Sequence, residues 1–451
     1  MTSALSARQN FEKDRLGLCQ RTGDIVESTI NGASIRGRAE EGQGRWVVCQ
    51  IGAREHYVLA AELYARGRLA ALVTDAWASP ASNTKRLARL TGHGQLGERY
   101  LPTLADARVV SMPAFAQVLH GVYRAVRPGW RGIMEANRRF GSWAARQLTR
   151  RNLLGAGPDG AGTVFAYSYA ALEILQAARA QGCRTVLGQI DPGPAEENII
   201  TQLVIAHGLP EKDAGRAPVG YWNRWREECA LADVILANST WSAKLLAEAG
   251  VPPGKLRIAP LAYSRQLAIT SREYPQAFTR QRPLRLLFLG NVSARKGIFE
   301  LVAAMKRLRE APVHLKIVGP IHLDVSQIRD CVTQIEWVGP VPRSATADYY
   351  RQVDAFILPT HSDGFALTQL EAQADGLPLI VSRHCGDVVS DGETGFVIEQ
   401  VTPEAIEAAI RRALKAPAML AEMSRRAPLR AATFVPSVVV DGILDAVEAA
   451  T

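Results

Sequence analysis

Two carboxylates and two cations in the C-terminal half of this 451-residue chain stand in or just after polar loops that follow apolar, strand-type runs. Asp363 stands in the polar turn Thr360-His361-Ser362-Asp363-Gly364, after the apolar, strand-type run Ala355 to Pro359. Glu371 follows eight positions later, on a helical pattern that begins near Ala366. One acid therefore sits in a loop and the other on a helix, and both can point into one crevice. Gly364 lets the backbone turn sharply or approach a ligand, and the unpaired N–H groups of Phe365, Ala366, Leu367 and Thr368 at the helix start favour a phosphate. Arg295 and Lys296 lie in a second loop, Gly290-Asn291-Val292-Ser293-Ala294-Arg295-Lys296-Gly297, after the apolar run Leu284 to Leu289. Arg295 offers a planar fork that matches phosphate oxygens, and Lys296 a mobile point charge. A basic pair alone in a loop is most often simply solvated; here it comes with two acids on a neighbouring strand–loop–helix.

These loops need a parallel sheet behind them, because such sheets bind ligands beyond the C-terminal ends of their strands. The first convincing strand is Trp46 to Ile51, followed by the Gly52 turn, a helix from His56 to Ala65, a stop at Gly67 and a strand from Leu69 to Thr74. That order opens a doubly wound α/β domain, although G-x-G-x-x-G is absent and with it the dinucleotide fingerprint. Strands at Thr163 to Tyr167, Arg184 to Gln189 and Ala232 to Ser239 continue the domain, and Asp191 falls in the loop after the second of them. Trp222, Trp225 and Cys229 share one face of a helix and read as core. A second series runs through Leu284 to Leu289, Val313 to Val318, Ile335 to Gly339, Ala355 to Pro359 and Leu379 to Ser382, then helices Pro403 to Leu414, Ala418 to Arg426 and Pro436 to Ala450. The fold class is α/β, with a polar arm at 1–43, a first domain at 44–268, a linker within 265–282, a second domain at 283–432 and a terminal helix at 433–451.

With 47% hydrophobic and 22% charged residues, the composition is that of a globular protein. A net charge of +9 favours anionic partners such as sugar nucleotides, lipid phosphates or a membrane surface, and is far from a polybasic nucleic-acid tail. The six cysteines contain no C-x-x-C pair and read as reduced thiols. No signal-like apolar core and no span-length apolar run appear, so the expected location is cytoplasmic, with membrane contact at most peripheral. One stretch invites such contact: between Phe115 and Arg151, eight arginines from Arg124 to Arg151 face the single acid Glu135. Anionic lipid headgroups or a lipid-diphosphate acceptor would match that imbalance; an ordinary exposed basic face is the alternative.

Over about residues 46 to 450, most strongly over 284 to 400, the chain resembles the retaining glycosyltransferases of the large family 4, which have the GT-B fold of two Rossmann-like domains facing a cleft. Their E-G-F-G-L type loop reads here Asp363-Gly364-Phe365-Ala366-Leu367, their L-E-A reads Leu370-Glu371-Ala372, and their G-x-P-V-I reads Gly376-Leu377-Pro378-Leu379-Ile380. The following glycine loop reads Gly386-Asp387-Val388-Val389 onward to Gly395, and Arg295-Lys296-Gly297 matches the family's R-K-G. Two departures stand out. Asp363 replaces a Glu, shortening its reach by one methylene, and Ala366 replaces the second glycine.

The resemblance implies retaining transfer of a hexose from a UDP- or GDP-sugar to a glycan or lipid-linked acceptor, in cell-surface polysaccharide or glycolipid synthesis, with no metal and no other cofactor. It implies that Arg295 and Lys296, in the loop opened by Gly290 and Asn291, grip the donor diphosphate. Asp363 would bond sugar hydroxyls and Glu371 the ribose hydroxyls, and the loop after Val338 would abut the base. Gly52 would approach the sugar and acceptor. Asp191 matches the acid of a His-Asp pair whose His is missing here, and the last helix would cross back onto the first domain. The missing His and the shortened acid leave open a nucleotide-sugar-binding subunit without turnover. A GT-B epimerase is a further alternative, whereas a phosphorylase lacks a lysine signal for pyridoxal phosphate.

Overall fold

The computed structural model describes residues 44–80, 99–113, 129–155, 161–210, 215–263, 272–329 and 332–450. The arm 1–43, the stretch 115–128 with Arg124 and Arg127, and linker residues 264–271 lie outside the described residues. The first domain holds strands β1 (Trp46–Gln50), β2 (Leu69–Thr74), β3 (Val109–Ser111), β4 (Thr163–Tyr167), β5 (Arg184–Gln189), β6 (Val234–Ala237) and β7 (Leu256–Ile258). They form one parallel sheet in the order β3-β2-β1-β4-β5-β6-β7. The second holds β8 (Leu284–Leu289), β9 (Val313–Val318), β10 (Ile335–Gly339), β11 (Ala355–Leu358), β12 (Leu379–Ser382) and β13 (Gly395–Ile398). These are also parallel, in the order β10-β9-β8-β11-β12-β13. In each sheet the order reverses beside the first strand, between β1 and β4 and between β8 and β11. Such switch points open crevices at the strand C-terminal ends.

Helices on both faces keep the central strands out of water, which is why β1, β2, β6, β11 and β12 read as near-continuous apolar runs. Those of the first domain are α1 (Val58–Ala65), α2 (Trp130–Arg150), α3 (Leu172–Ala180), α4 (Pro194–Ala206), α5 (Val219–Leu231) and α6 (Thr240–Glu248). The second has α7 (Ile298–Arg307), α8 (Ser326–Arg329), α9 (Thr346–Arg351), α10 (Thr368–Ala374), α11 (Pro403–Lys415) and α12 (Pro417–Ala431), after which comes α13 (Pro436–Glu448). Ser239 starts α6 by accepting the Ser242 N–H at 3.1 Å, and Thr402 starts α11 by accepting that of Ala405 at 3.2 Å. Val440, Leu444 and Val447 of α13 belong to one buried cluster with Trp46, Val48 and Leu63, so the last helix roofs the first domain's sheet. Phe434, just before it, belongs to the second domain's core. Residues 272–282 are fastened to the second domain: the Arg272 guanidinium donates to the carbonyls of Tyr350, Val353 and Asp375, and the Tyr274 hydroxyl to that of Asp354.

Six elements escape a reading of the sequence, among them the short helices α8 and α9. Strands β3 and β7 are three residues long, too short for a periodic signal. Strand β13 opens on Gly395, where a Cβ would overlap the Leu379 carbonyl; a glycine that marks close backbone approach looks, in sequence, like a loop. Helix α4 begins with Pro194 directly after Gly193, which reads as a turn. The described cysteines, Cys49, Cys183, Cys229 and Cys385, are buried free thiols. Among the described residues no single helix is long and apolar enough to cross a membrane.

Candidate active site

The two loops of interest are tied to each other before any ligand is considered. Fully buried β11 delivers Thr360, whose hydroxyl donates to the Arg295 carbonyl at 3.0 Å; the His361 N–H donates to the same oxygen at 2.8 Å. Lys296, only 8% exposed, is ion-paired with the Asp363 carboxylate. The Arg295 guanidinium donates to the Ser362 carbonyl at 2.5 Å and lies 3.7 Å from the same Asp363 carboxylate. Burial alone pushes the Asp363 carboxyl up, but the Lys296 and Arg295 charges, with hydrogen bonds from Lys296 and the Phe365 N–H, hold it below the ordinary aspartate value. The Phe365 N–H therefore serves Asp363. Ala366 takes a left-handed conformation, φ 62°, in the place where glycine would sit without strain.

Glu371 is the fourth residue of α10 and accepts the Tyr350 hydroxyl at 2.8 Å. It lies on the wall of a cavity of about 480 Å³ between the two domains. Leu367 and Arg343 share the second-domain wall, and Glu55, His56 and Val58 form the opposite one. The first-domain wall is strained. Glu55, His56 and Tyr57 are consecutive left-handed residues, with φ of 49°, 49° and 62°. Glu55 accepts the Tyr167 hydroxyl at 2.9 Å, and His56 Nε2 lies 3.3 Å from an Arg343 nitrogen across the cleft. Backbone strain of about 1–3 kcal/mol per residue persists where surroundings over-determine it, and it clusters at functional sites. Lys296 is not on this wall: Lys296 and Asp363 meet at the start of loop 363–368, Leu367 and Glu371 at its far end.

Asp191 faces the cluster from the first domain. It accepts the Tyr169 hydroxyl at 2.5 Å, the Gly193 N–H at 2.9 Å and the Gln189 amide at 3.3 Å. Burial raises its pKa, partly offset by those donors. Behind it, the Trp225 indole N–H donates to Gln189, and the buried Glu228 carboxylate accepts the N–H groups of Tyr169, Ala171 and Leu172. Trp225 is thus core, as its helical spacing implied, and also braces Asp191. Glu196, on the first turn of α4, joins the group 3.8 Å from Arg295. Burial raises its pKa against the pull of Arg295 and Ser362, while Asp191 and Asp363 stand close enough to push it further up.

The remaining expected residues, Gly52, Gly290, Asn291 and Val338, make other contacts and do not join the cluster. The Gly52 N–H donates to Asp75 at 2.8 Å, and its φ of 79° suits only glycine without strain. Gly290 backs onto Gly319, where a Cβ would overlap the Gly290 carbonyl, and Asn291 is exposed. Val338 is half-buried against the second core. Glu196, Tyr350, Arg343, Glu55 and His56 were not singled out in the sequence. Only Glu196 carried a usable signal, Gly193-Pro194 followed by two acids, which marks a helix start. Among the described residues no group of three or more His, Cys, Asp or Glu side chains is arranged to hold a metal ion.

On α2, Arg138 and Arg139 both close on Glu135, at 2.9 and 2.6 Å, so two of the expected unmatched arginines are matched. Arg131, Arg146, Arg150 and Arg151 remain exposed, opposite the buried Ala136, Phe140, Ala144 and Leu148.

Residues 271–430 match the family model described as "Glycosyl transferases group 1". A D-inositol 3-phosphate glycosyltransferase of Rhodococcus erythropolis is 27% identical over 236 residues, 48% of this chain and 53% of that protein. A glycogen synthase of Mycobacterium tuberculosis is 30% identical over 173 residues, 36% and 42% of the two chains. The chain spans about half the length of the curated relatives it matches. Among solved structures, Alr3699/HepE of Anabaena in complex with UDP superposes with a TM-score of 0.56 at 15% identity, covering 90% of this chain and all of that one. Sucrose-phosphate synthase of Thermosynechococcus elongatus gives 0.56 at 18% identity, covering 88% and 97%. The fold is GT-B: two parallel α/β domains with their strand ends facing a cleft.

Proposed function

We propose that the protein is a retaining, metal-independent glycosyltransferase that moves a hexose from a nucleotide diphosphate sugar to a glycan or lipid-linked acceptor, in cell-surface polysaccharide or glycolipid synthesis. The observation that carries this reading is the cluster Arg295, Lys296 and Asp363 at the strand ends of the second domain, with Glu371, past the far end of the same loop, on a cavity walled by both domains. The chemical difficulty is the departure of a diphosphate as the sugar becomes oxocarbenium-like. Fixed cations aimed at that growing charge favour the transition state over the ground state. Arg295 and Lys296 supply them, and Lys296 must exchange Asp363 for a phosphate oxygen as the donor seats. Asp363, released, takes a sugar hydroxyl. Glu371, oriented by Tyr350, takes the ribose hydroxyls in the cavity. The leaving oxygen lies on the acceptor's face of the sugar and accepts its proton, so no separate base is required. The exposed arginines of α2 suit a lipid-linked acceptor at the inner face of a membrane.

A screen of UDP- and GDP-hexoses by thermal shift and transfer, with the product's anomeric configuration read by NMR, tests the reading. The expected result is one donor class that raises the melting temperature and is transferred with retention, unaffected by EDTA. No shift and no transfer with any donor would sink it; a shift without transfer or hydrolysis would favour the binding-subunit alternative, which the replacement of Glu by Asp363 motivates.

A further inference from the structure

The Ser362 hydroxyl, fully buried, donates to Glu196 Oε2 at 2.6 Å and accepts the Trp241 indole N–H at 3.0 Å. Both partners belong to the first domain, while Ser362 precedes Asp363 in the second. On the other side of Asp363, the Gly364 carbonyl accepts the hydroxyls of Ser239 at 2.8 Å and Ser242 at 3.3 Å, again from the first domain. Gly364 also fits against Asn238 so closely that a Cβ would stand 2.7 Å from its amide nitrogen. The residue that meets Lys296 is thus held on both flanks by the opposite domain. Glu196 reaches Arg295 as well, so one carboxylate touches both the loop and the cation.

We propose that Glu196 and Trp241 are positioning residues that assemble the Asp363 loop in trans, so that the donor site is complete only when the domains meet. The proposal deepens the transferase reading and rests on it for the role of Asp363. The Ser362 hydroxyl has committed its single proton to Glu196 and accepts from Trp241, and it is fully buried, so it has no donor to offer a ligand and acts as a joint between domains. A closure-dependent site would keep a donor from being hydrolysed in the open state.

The test uses the full chain with Ser362→Ala, Trp241→Phe, Glu196→Ala and Glu196→Gln. Trp241→Phe keeps an aromatic ring against His384, which the indole meets at 4.3 Å between centroids, and removes the N–H donor along with part of the ring; Ser362→Ala removes the same hydrogen bond from the other side without that change in volume. Hydrogen exchange on the unliganded protein reads the loop directly, because the His361 and Asp363 amides are bonded to the carbonyls of Arg295 and His384, each at 2.8 Å. Ser362→Ala, Trp241→Phe and Glu196→Ala should speed exchange across residues 360–365 about tenfold or more, with β8 and β11 unchanged as an internal control for folding. Glu196→Gln, which still accepts from Ser362, should stay near wild type. With the donor found in the UDP- and GDP-hexose screen, the first three variants should lose kcat by up to about 10²-fold, with KM for the donor within about threefold. Unchanged loop exchange in Ser362→Ala and Trp241→Phe, or equal exchange in Glu196→Gln and Glu196→Ala, would overturn the proposal. So would faster exchange with undiminished kcat. Should no nucleotide sugar bind, the transferase reading fails while the exchange measurements still decide whether this joint exists.

Discussion

Gly297 is packed so tightly on Pro359 that a Cβ at position 297 would overlap the Pro359 carbonyl oxygen. The glycine also has a φ of 70°, so an alanine would be strained even without the overlap. Two loops that carry opposite charges into the cleft are held together at this point. Gly297→Ala should therefore destabilise the protein by about 3 kcal/mol or more and weaken nucleotide binding, since the Arg295 and Asp363 loops must part. Urea titration of the variant checks it; an unchanged midpoint would mean that the backbone yields where the packing says it does not.

Lys296→Ala tests the cation itself. Loss of one donor aimed at developing charge lowers turnover by about 10²-fold or more, so kcat/KM should fall by at least that much. The variant also leaves the buried Asp363 with Arg295 as its remaining cationic partner, so its carboxyl should titrate at higher pH than in the parent. Steady-state kinetics with the best donor, and carboxyl titration by NMR, read the two effects separately. Near-normal turnover would remove Lys296 from the mechanism.

Asp354 is one of the buried carboxylates whose pairing ties stability to pH on the acid side. Its carboxylate, 3% exposed, accepts two bonds from the Arg282 guanidinium at 2.7 Å, two from that of Arg285 and one from the Arg285 N–H. Burial raises its pKa, but these donors outweigh it and the net shift is downward. A carboxylate with a depressed folded pKa contributes stability above its unfolded value of about 3.9, and that contribution is lost as pH falls through the folded value. Asp354→Asn should cost about 3 kcal/mol at pH 7 and flatten the stability profile below pH ~4. Denaturation midpoints between pH 2.5 and 7 check it; a parallel loss at every pH would place the effect in packing alone.

Much of this architecture is legible in the sequence because it rests on local signals. Ala355 to Leu358 is apolar throughout and buried, Leu284 to Leu289 is apolar and buried except at the exposed Arg285, and the turns after them carry glycine and charge. What stayed hidden depends on contacts between distant segments. Nothing in Arg54-Glu55-His56-Tyr57 announces three left-handed residues, which lack the Gly, Asn or Asp that usually mark them, and the expected helix from His56 in fact begins at Val58. Glu196 and Ser362 are 166 positions apart, and only the folded domains bring them together. The expectation of unmatched arginines on α2 failed in part for a simpler reason: Glu135 precedes Arg138 and Arg139 by one helical turn, the spacing at which side chains pair.

Ala366 stands where the resembled family has glycine and adopts the φ of 62° that glycine favours. A left-handed alanine costs about 1–2 kcal/mol, while glycine lowers stability through its larger unfolded-state entropy. Ala366→Gly should therefore raise stability by up to about 1 kcal/mol, measured by urea titration with donor affinity alongside. A clear loss of stability would show that the alanine methyl packs well enough to outweigh its strain.

Asp363→Glu asks whether the shortened acid sets donor choice. In the parent, the carboxylate meets Lys296 while Ser362 and Gly364 are fastened to the first domain, so the loop has little room to absorb an added methylene. The longer side chain must then carry its carboxylate past Lys296 and further into the cleft, toward the space where a sugar would sit. Donors whose hydroxyls suit the shorter acid should lose, and those needing greater reach should gain. A displacement of one methylene is worth about 1–3 kcal/mol in discrimination, so ratios of kcat/KM between donors should shift by about tenfold or more. A panel of UDP- and GDP-hexoses assayed on both proteins reads this out. An equal fall across the panel would mean that Asp363 acts only on Lys296 and leaves sugar recognition to other groups, whereas a reordered panel ties its length to specificity.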